Sequence, residues 1–225
     1  MVATWNPAAA SAYYVSGSEY YLGGVEPQGQ WYAPAGDHCL ADGALVERKH
    51  FERLYAALDE TGTSLISNAG VQKSRRTPAF DITMSAPRSV SLIWAFADEQ
   101  LKSAIEAAQV RATRSALDCL THEAVFARRG RGGHSVEPVA LSAAIFQHGE
   151  SRPAEHEDGH LFCDPNLHSH CVCLNLATRA DGTVGALHSK ILRDAKLLAG
   201  ATYHAALAES LQRLGFSLDR VGYNG

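Results

Sequence analysis

Two histidines separated by a single residue carry the clearest chemical signal in the sequence. His168 and His170 belong to a run, residues 164–172, whose residue pattern is typical of a β-strand. Residues two apart on a strand point to the same face, so both imidazoles project together. Neutral imidazoles paired in this way are good ligands for a divalent metal ion. The alternative is a pair of partly exposed histidines at the start of a strand.

A third histidine would turn this pair into a catalytic type of metal site. His148 ends a second predicted strand and would lie beside the pair if the two strands are neighbours. His156 and His160 compete for the same role, and the alternative for these two is a polar surface loop. Three protein ligands leave coordination positions open for substrate oxygens, as a catalytic metal site requires.

Two tyrosine pairs near the N-terminus supply candidate nucleophiles. Tyr13 and Tyr14 precede Tyr20 and Tyr21 by seven residues, which is close to two helical turns. The alternative is an aromatic stripe in the core. A tyrosine phenol has a pKa near 10, so ionising it at pH 7 costs roughly 4 kcal/mol, much of which a nearby cation would offset. A metal that polarises a phosphate and a phenolate that attacks it form one consistent chemistry.

Composition sets the class of protein in which this chemistry would operate. The 225 residues are 46% hydrophobic and 20% charged, which is typical of one globular domain. We find no run of about 20 apolar residues that would span a membrane, and the first residues do not form a signal peptide. Five cysteines, an odd number, favour a reduced cytoplasmic protein. Neither a G-x-G-x-x-G nor a Walker A motif is present, so nucleotide hydrolysis is not predicted.

The net charge of −4 means that any nucleic-acid binding must rest on local basic patches. Two such patches are present, and the alternative for each is a solvated loop. Their basic residues are Lys73, Arg75, Arg76 and Arg88 in the first, and Arg128, Arg129 and Arg131 in the second.

The predicted elements indicate an α+β fold, with an antiparallel or mixed sheet covered by helices. Asn6 and Pro7 are typical of a helix start, and this helix would carry the tyrosines as far as Tyr21. Strands are predicted over residues 80–84 (half-buried), over 125–127 and 139–147 (a hairpin around the Arg/Gly loop) and over 167–177. Further helices are predicted over 51–58, from 87 to about 94, over 98–122 and over 194–214.

Three motifs in this order resemble a known family. They are the tyrosine pairs, F-D-I-T-M-S-A-P-R-S-V-S over residues 80–91, and His148 followed by D-P-N-L-H-S-H over 164–170. Together they resemble the relaxase domain of conjugative relaxases of the TrwC/TraI type (MobF), within the HUH endonucleases. The resemblance extends from Tyr13 to about Gly215.

The resemblance implies a central antiparallel sheet flanked by helices in two or three layers, with three histidines projecting from it. It implies a metal-dependent nickase that cuts single-stranded DNA at a plasmid transfer origin by transesterification. Tyr13 would be the main nucleophile, leaving a 5′-phosphotyrosine and a free 3′-hydroxyl, and Tyr20 would serve the second strand transfer. Tyr14 and Tyr21 would be substitutes. Asp81 would orient a histidine and help to take the tyrosine proton. The ligands of Mg²⁺ or Mn²⁺ would be His148, His168 and His170.

Further expectations follow from the same resemblance. Partners would be single-stranded origin DNA, accessory relaxosome proteins and a coupling protein, with no membrane insertion and a cytoplasmic location. The seven basic residues would follow the path of the DNA strand, and Trp31 or Tyr32 would stack on bases. We expect residues 1–225 to form a single nickase domain without the family's C-terminal DNA clamp and without a helicase domain. The segment between Arg152 and Asp164 is longer than is usual for the family.

Three other functions fit part of the pattern. A metallohydrolase (a phosphodiesterase) would use the three histidines to activate water and would leave the tyrosines without a role. A non-catalytic module would bind origin DNA without cutting it. A replication initiator of the HUH class would make its nick in a replication origin.

Overall fold

The structure is a computed structural model that describes residues 3–15, 28–66, 76–129 and 135–219. Its strands are β1 (Ala3–Pro7), β2 (Gln30–Tyr32), β3 (Ala79–Ser85), β4 (Phe126–Arg129), β5 (Ser135–Pro138), β6 (Ala143–Glu150), β7 (Ala154–Glu155), β8 (Leu161–Phe162), β9 (Pro165–Leu174), β10 (Ala177–Thr178) and β11 (Val184–Gly185). Its helices are α1 (Ser11–Val15), α2 (Arg48–Tyr55), α3 (Arg88–Phe96), α4 (Glu99–Ala124), α5 (Ser189–Asp194) and α6 (Lys196–Arg213).

The centre of the fold is a five-stranded antiparallel sheet with strand order β1-β3-β9-β6-β2. Helices α3, α4 and α6 cover one face, and α1 and α2 cover the other. A core cluster fills each side, with Ile82 and Leu167 on the α4 side and Phe51 and Val172 on the α2 side. The predicted α+β class with a central antiparallel sheet is therefore confirmed.

Strand β3 differs from the half-buried strand that its alternation predicts. Phe80, Asp81, Ile82 and Met84 are all buried, so both faces of the strand are covered. The reason is position, because β3 lies inside the sheet between β1 and β9 with helices on both sides. Alternation of residue types reports one solvated face only where a sheet is covered on one side.

The helix start predicted at Asn6 and Pro7 is wrong, because both residues end the edge strand β1. Asn6 pairs with Asp81 and Pro7 with Phe80, while Trp5 stacks on Phe80 at 4.7 Å between ring centroids. A proline is tolerated at the end of an edge strand, where a missing N–H breaks no ladder. The tyrosine helix begins instead at Ser11, and its predicted continuation to Tyr20 and Tyr21 lies outside the described residues.

The predicted hairpin around the Arg/Gly loop is wrong in one of its strands. Strand β4 pairs with β5, and β6 joins the central sheet instead. Ala143 and Ala144 are both fully buried, one towards each face, which suits an interior strand rather than a surface ribbon. Between β6 and β9 the chain forms a second small hairpin, β7–β8.

The remaining helices agree with the sequence pattern. Helix α3 follows Pro87, and the side chain of Asp98 caps α4 by accepting a hydrogen bond from the Leu101 amide at 2.8 Å. The last predicted helix, over 194–214, corresponds to α6, and the short helix α5 that precedes it was not predicted. Across the described residues, no helix is both long and apolar enough to cross a bilayer.

Candidate active site

Strand pairing brings the three candidate histidine ligands together on one face of the sheet. His148 on β6 lies directly opposite His168 on β9, and Phe146 lies opposite His170. The ring centroids of the three histidines are 5.0–5.3 Å apart. One nitrogen from each ring lies within 4.8 Å of the other two, which is close enough for a single ion to be shared.

In His168 and His170, the ring nitrogen Nδ1 already has a hydrogen-bond partner. His170 Nδ1 lies 2.7 Å from Asp81 Oδ2, and His168 Nδ1 lies 2.6 Å from the backbone oxygen of Asn166. Histidines that bind metals usually donate their second ring N–H to a carboxylate or a carbonyl in this way, which leaves Nε2 as the ligand atom. The donor set therefore fits a divalent cation.

Burial also sets the protonation of the cluster. Desolvation, with the nearby charge of His170 as a smaller contribution, lowers the pKa of His148 to about 3. Desolvation lowers the pKa of His168 to about 4. Both rings are therefore neutral at pH 7 and need not lose a proton before they bind a metal.

The lowered pKa values predict a pH dependence of stability in metal-free protein. Unfolded histidine has a pKa near 6.5, so the unfolded chain takes up more protons below that pH and stability falls as the pH drops from 6.5 towards 4. From pH 7.5 to pH 5, we expect the two histidines to cost about 2–4 kcal/mol of unfolding free energy. Urea unfolding in EDTA measures this loss, and His148→Gln should reduce it by about half. An equal loss in both proteins would contradict the assignment.

Asp81 on β3 lies at the centre of the hydrogen-bond network behind the histidines. Its Oδ2 accepts from the Tyr14 hydroxyl at 3.0 Å as well as contacting His170. The Thr83 hydroxyl lies 3.5 Å from Asp81 Oδ1 and 3.3 Å from His170 Nδ1. Thr83 is not among the predicted site residues, although strand alternation places it on the same face as Asp81.

Tyr14 is a buried member of this network. Its side chain is 3% exposed, and its ring packs against Phe51 and Phe146. Its hydroxyl accepts from the Ala9 amide at 2.9 Å while donating to Asp81. Burial, reinforced by the charge of Asp81, raises the pKa of Tyr14 well above its usual value. Tyr14 is thus poorly suited to ionise.

Tyr13 is the more open member of the pair. Its ring is partly exposed and meets the His170 ring edge-on, with 6.3 Å between centroids. It also packs edge-on against Tyr14 at 5.1 Å. The Tyr55 hydroxyl donates to the Ala9 carbonyl and so ties the start of this segment to α2. Tyr13 therefore combines a position beside the histidine cluster with access from outside.

The competing histidines lie apart from this cluster. His156 and His160 lie at the turn of the β7–β8 hairpin, where both are exposed. His156 Nδ1 contacts Asp158 at 3.1 Å. Within the described residues, the group able to hold an ion is the one formed by His148, His168 and His170.

The predicted basic residues have varied surroundings. Arg88 is exposed and pairs with Asp164 at 3.1 Å, close to the start of β9. Arg76 turns inward and donates to the Tyr55 carbonyl at 3.0 Å. Arg128 is exposed on β4. Lys73, Arg75 and Arg131 lie outside the described residues.

Arg129 forms two ion pairs. It contacts Glu137, and it contacts Asp181 at 2.6 Å. The prediction that Trp31 or Tyr32 stacks on bases is wrong, because the two side chains are 2% and 1% exposed. Both belong to β2, where they pack into opposite sides of the core.

Comparisons with known proteins find matches over almost the whole chain. The sequence profile described as TrwC relaxase matches residues 7–225. The multifunctional conjugation protein TraI of Escherichia coli (strain K12) is 28% identical over 231 residues, and a second Escherichia coli TraI is 27% identical over 230 residues. Each alignment covers 96% of this chain but only 12% of the relative, so the chain spans a small part of these curated proteins.

Solved structures give the same result. The conjugative relaxase TrwC in complex with oriT DNA superposes with a TM-score of 0.75 in both a metal-free and a metal-bound structure. Sequence identity is 28% in each case, and the match covers 98% of this chain and 72% of the other.

Proposed function

This chain belongs to the TrwC relaxase family, and we propose that it is a metal-dependent nickase that cuts single-stranded DNA at a plasmid transfer origin. The observation that carries the proposal is the position of Tyr13 at the edge of a three-histidine cluster with the donor set of a divalent metal site. Residues 1–225 would act as one nickase domain.

The reaction is a transesterification in which each side chain has a separate task. A divalent cation held by the three histidines would polarise the scissile phosphate. The Tyr13 oxygen bonds to phosphorus as the bond to the 3′-oxygen breaks, so Tyr13 loses its proton and the leaving 3′-oxygen gains one. Since the bond energy is kept in the phosphotyrosine, the strand can be rejoined.

Asp81 acts as a positioning residue in this proposal. Its Oδ2 holds His170 and Tyr14 rather than Tyr13, so it orients a ligand and anchors the tyrosine helix. Tyr20 would serve the second strand transfer. For the nucleophile, Tyr14 is the weaker candidate of the described pair because its hydroxyl is buried and engaged.

The finer features of the function follow the same reasoning. We propose Mg²⁺ or Mn²⁺ as the physiological ion, because both accept phosphate oxygens readily. The substrate would be single-stranded DNA, since the reacting phosphate must reach the sheet face. Accessory relaxosome proteins and a coupling protein would assist the reaction, and the location would be the cytoplasm. Arg88 would contact the DNA, because it is exposed and pairs with Asp164, the residue before β9.

The test uses a pool of random single-stranded oligonucleotides with biotin at the 3′ end. With Mn²⁺ and after denaturation in SDS, we expect the label to remain attached to the protein, and EDTA should abolish the attachment. Cleaved DNA without attached protein would favour the water-activating metallohydrolase. Binding without cleavage in either metal would favour a non-catalytic module.

A further inference from the structure

Helix α3 lies behind the three histidines, on the opposite face of the sheet, and contacts both strands that carry them. The Trp94 ring packs against Gly149, the residue after His148. The Ser91 hydroxyl accepts a hydrogen bond at 3.0 Å from the amide of Leu167, the residue before His168. The same helix thus touches the chain beside two of the three ligands.

Gly149 occupies an irregularity in the pairing of β6, next to His148. The pairing of β6 with β9 changes register between His148 and Glu150, as in a β-bulge. A Cβ atom on Gly149 would lie 2.1 Å from Trp94 Cη2. The backbone of Gly149 is outside the left-handed region, so the Trp94 ring, rather than backbone conformation, excludes a larger residue here.

Trp94 is itself fixed by α4. Its Nε1–H donates to Glu106 at 2.9 Å, and the Lys102 ammonium lies 4.8 Å from the ring centroid. A hydrogen bond to a carboxylate and a cation–π contact together hold the indole in one orientation. The ring therefore acts as a fixed surface against which Gly149 rests.

Ser91 fixes the other strand. Its side chain is 1% exposed, and Leu167 is fully buried. The carbonyl of Leu167 accepts from the Ala86 amide at 3.0 Å, so one backbone group of this residue bonds to α3 and the other to the segment that leads into it. Without the hydroxyl, the buried Leu167 amide would lose its partner next to His168.

We propose that α3 is a two-point brace that sets the spacing of the metal ligands, with Trp94 acting on His148 through Gly149 and Ser91 acting on His168 through Leu167. Trp94 and Ser91 are positioning residues, since neither touches the ion. The inference rests on the proposed metal-dependent function and deepens it, because it assigns the geometry of the ligand set to a helix outside the site.

The test measures Mn²⁺ affinity by isothermal titration calorimetry. Trp94→Ala and Gly149→Ala should each weaken binding by about 10–100-fold, the range typical of outer-shell partners, and Ser91→Ala by about 10-fold. In the Trp94→Ala background, Gly149→Ala should cost nothing further, because the ring that excludes the methyl group is gone. Ile93→Ala is the matched control, since Ile93 is 41% exposed on the same helix and its removal should leave affinity unchanged.

A spectroscopic signature and the metal-free fold distinguish positioning from general stability. The Co²⁺ absorption spectrum of the Trp94 and Ser91 variants should change, whereas circular dichroism in EDTA should stay that of the wild type. If Trp94→Ala does not fold, Trp94→Phe and Gly149→Ala provide the same comparison.

Two results would contradict the proposal that α3 sets the spacing of the ligands. One is unchanged affinity in Trp94→Ala, Gly149→Ala and Ser91→Ala, and the other is an equal cost of Gly149→Ala with and without the indole. Failure of the underlying function is recognised separately, because wild-type protein would then bind no Mn²⁺ at the three histidines.

Discussion

Tyr13→Phe should abolish the covalent protein–DNA adduct while leaving metal affinity and the fold unchanged. The phenol oxygen is the atom that bonds to phosphorus, and its removal should lower adduct formation by at least about 10³-fold, the scale on which loss of a nucleophile acts. Because phenylalanine keeps the aromatic ring, the edge-on packing of residue 13 with His170 and Tyr14 is retained. The measurement is the rate at which label enters the protein band of a denaturing gel.

Tyr14→Phe is the matched control for this experiment. It removes a buried hydroxyl that donates to Asp81, which should cost about 1.5–3 kcal/mol of stability because the acceptor is charged. The adduct should still form, although more slowly, because Asp81 would hold His170 less firmly. Adduct formation that persists in Tyr13→Phe would move the nucleophile to Tyr14, Tyr20 or Tyr21 and contradict the assignment.

His168→Ala should weaken metal binding more than any of the substitutions at Trp94, Gly149 or Ser91. His168 would coordinate the ion directly in the proposed site. Its removal should therefore weaken Mn²⁺ binding by at least about 100-fold, which is beyond the range of outer-shell changes. Adduct formation should fall in parallel and recover in part at high metal concentration. Calorimetry and the labelled-DNA gel measure the two quantities on the same protein.

His156→Ala is the control for the histidine substitution. His156 lies on the exposed β7–β8 hairpin, 12 positions before His168, and does not belong to the cluster. Its removal should leave both metal affinity and adduct formation within about twofold of the wild type, as is usual for exposed sites. A loss in His156→Ala as large as that in His168→Ala would show that the ion binds elsewhere.

The histidine pair could be placed on one strand face from spacing alone, whereas the third ligand could not. His148 is 20 residues away from His168, and only the pairing of β6 with β9 puts the two rings opposite each other. Residue periodicity indicates strands but not which strands are neighbours. The family resemblance supplied that information for His148, as it did for Asp81.

Local signals failed where tertiary contacts determined the structure. Asn6 and Pro7 have a typical helix-start sequence, yet pairing with β3 makes them strand residues. Trp31 and Tyr32 are aromatic and near a polar loop, but their burial depends on β2 joining the sheet edge. The contact of Trp94 with Gly149 joins residues that are distant in sequence, and nothing in either segment predicts it.

The most direct test of the central claim is mass spectrometry of the trapped protein–DNA complex. Protein incubated with Mn²⁺ and the single-stranded oligonucleotide pool is captured by the 3′ biotin, digested with nuclease and protease, and sequenced. We expect a nucleotide on the peptide that contains Tyr13, with its 5′-phosphate esterified to the phenolic oxygen. Cleaved DNA with no modified tyrosine on any peptide would contradict it.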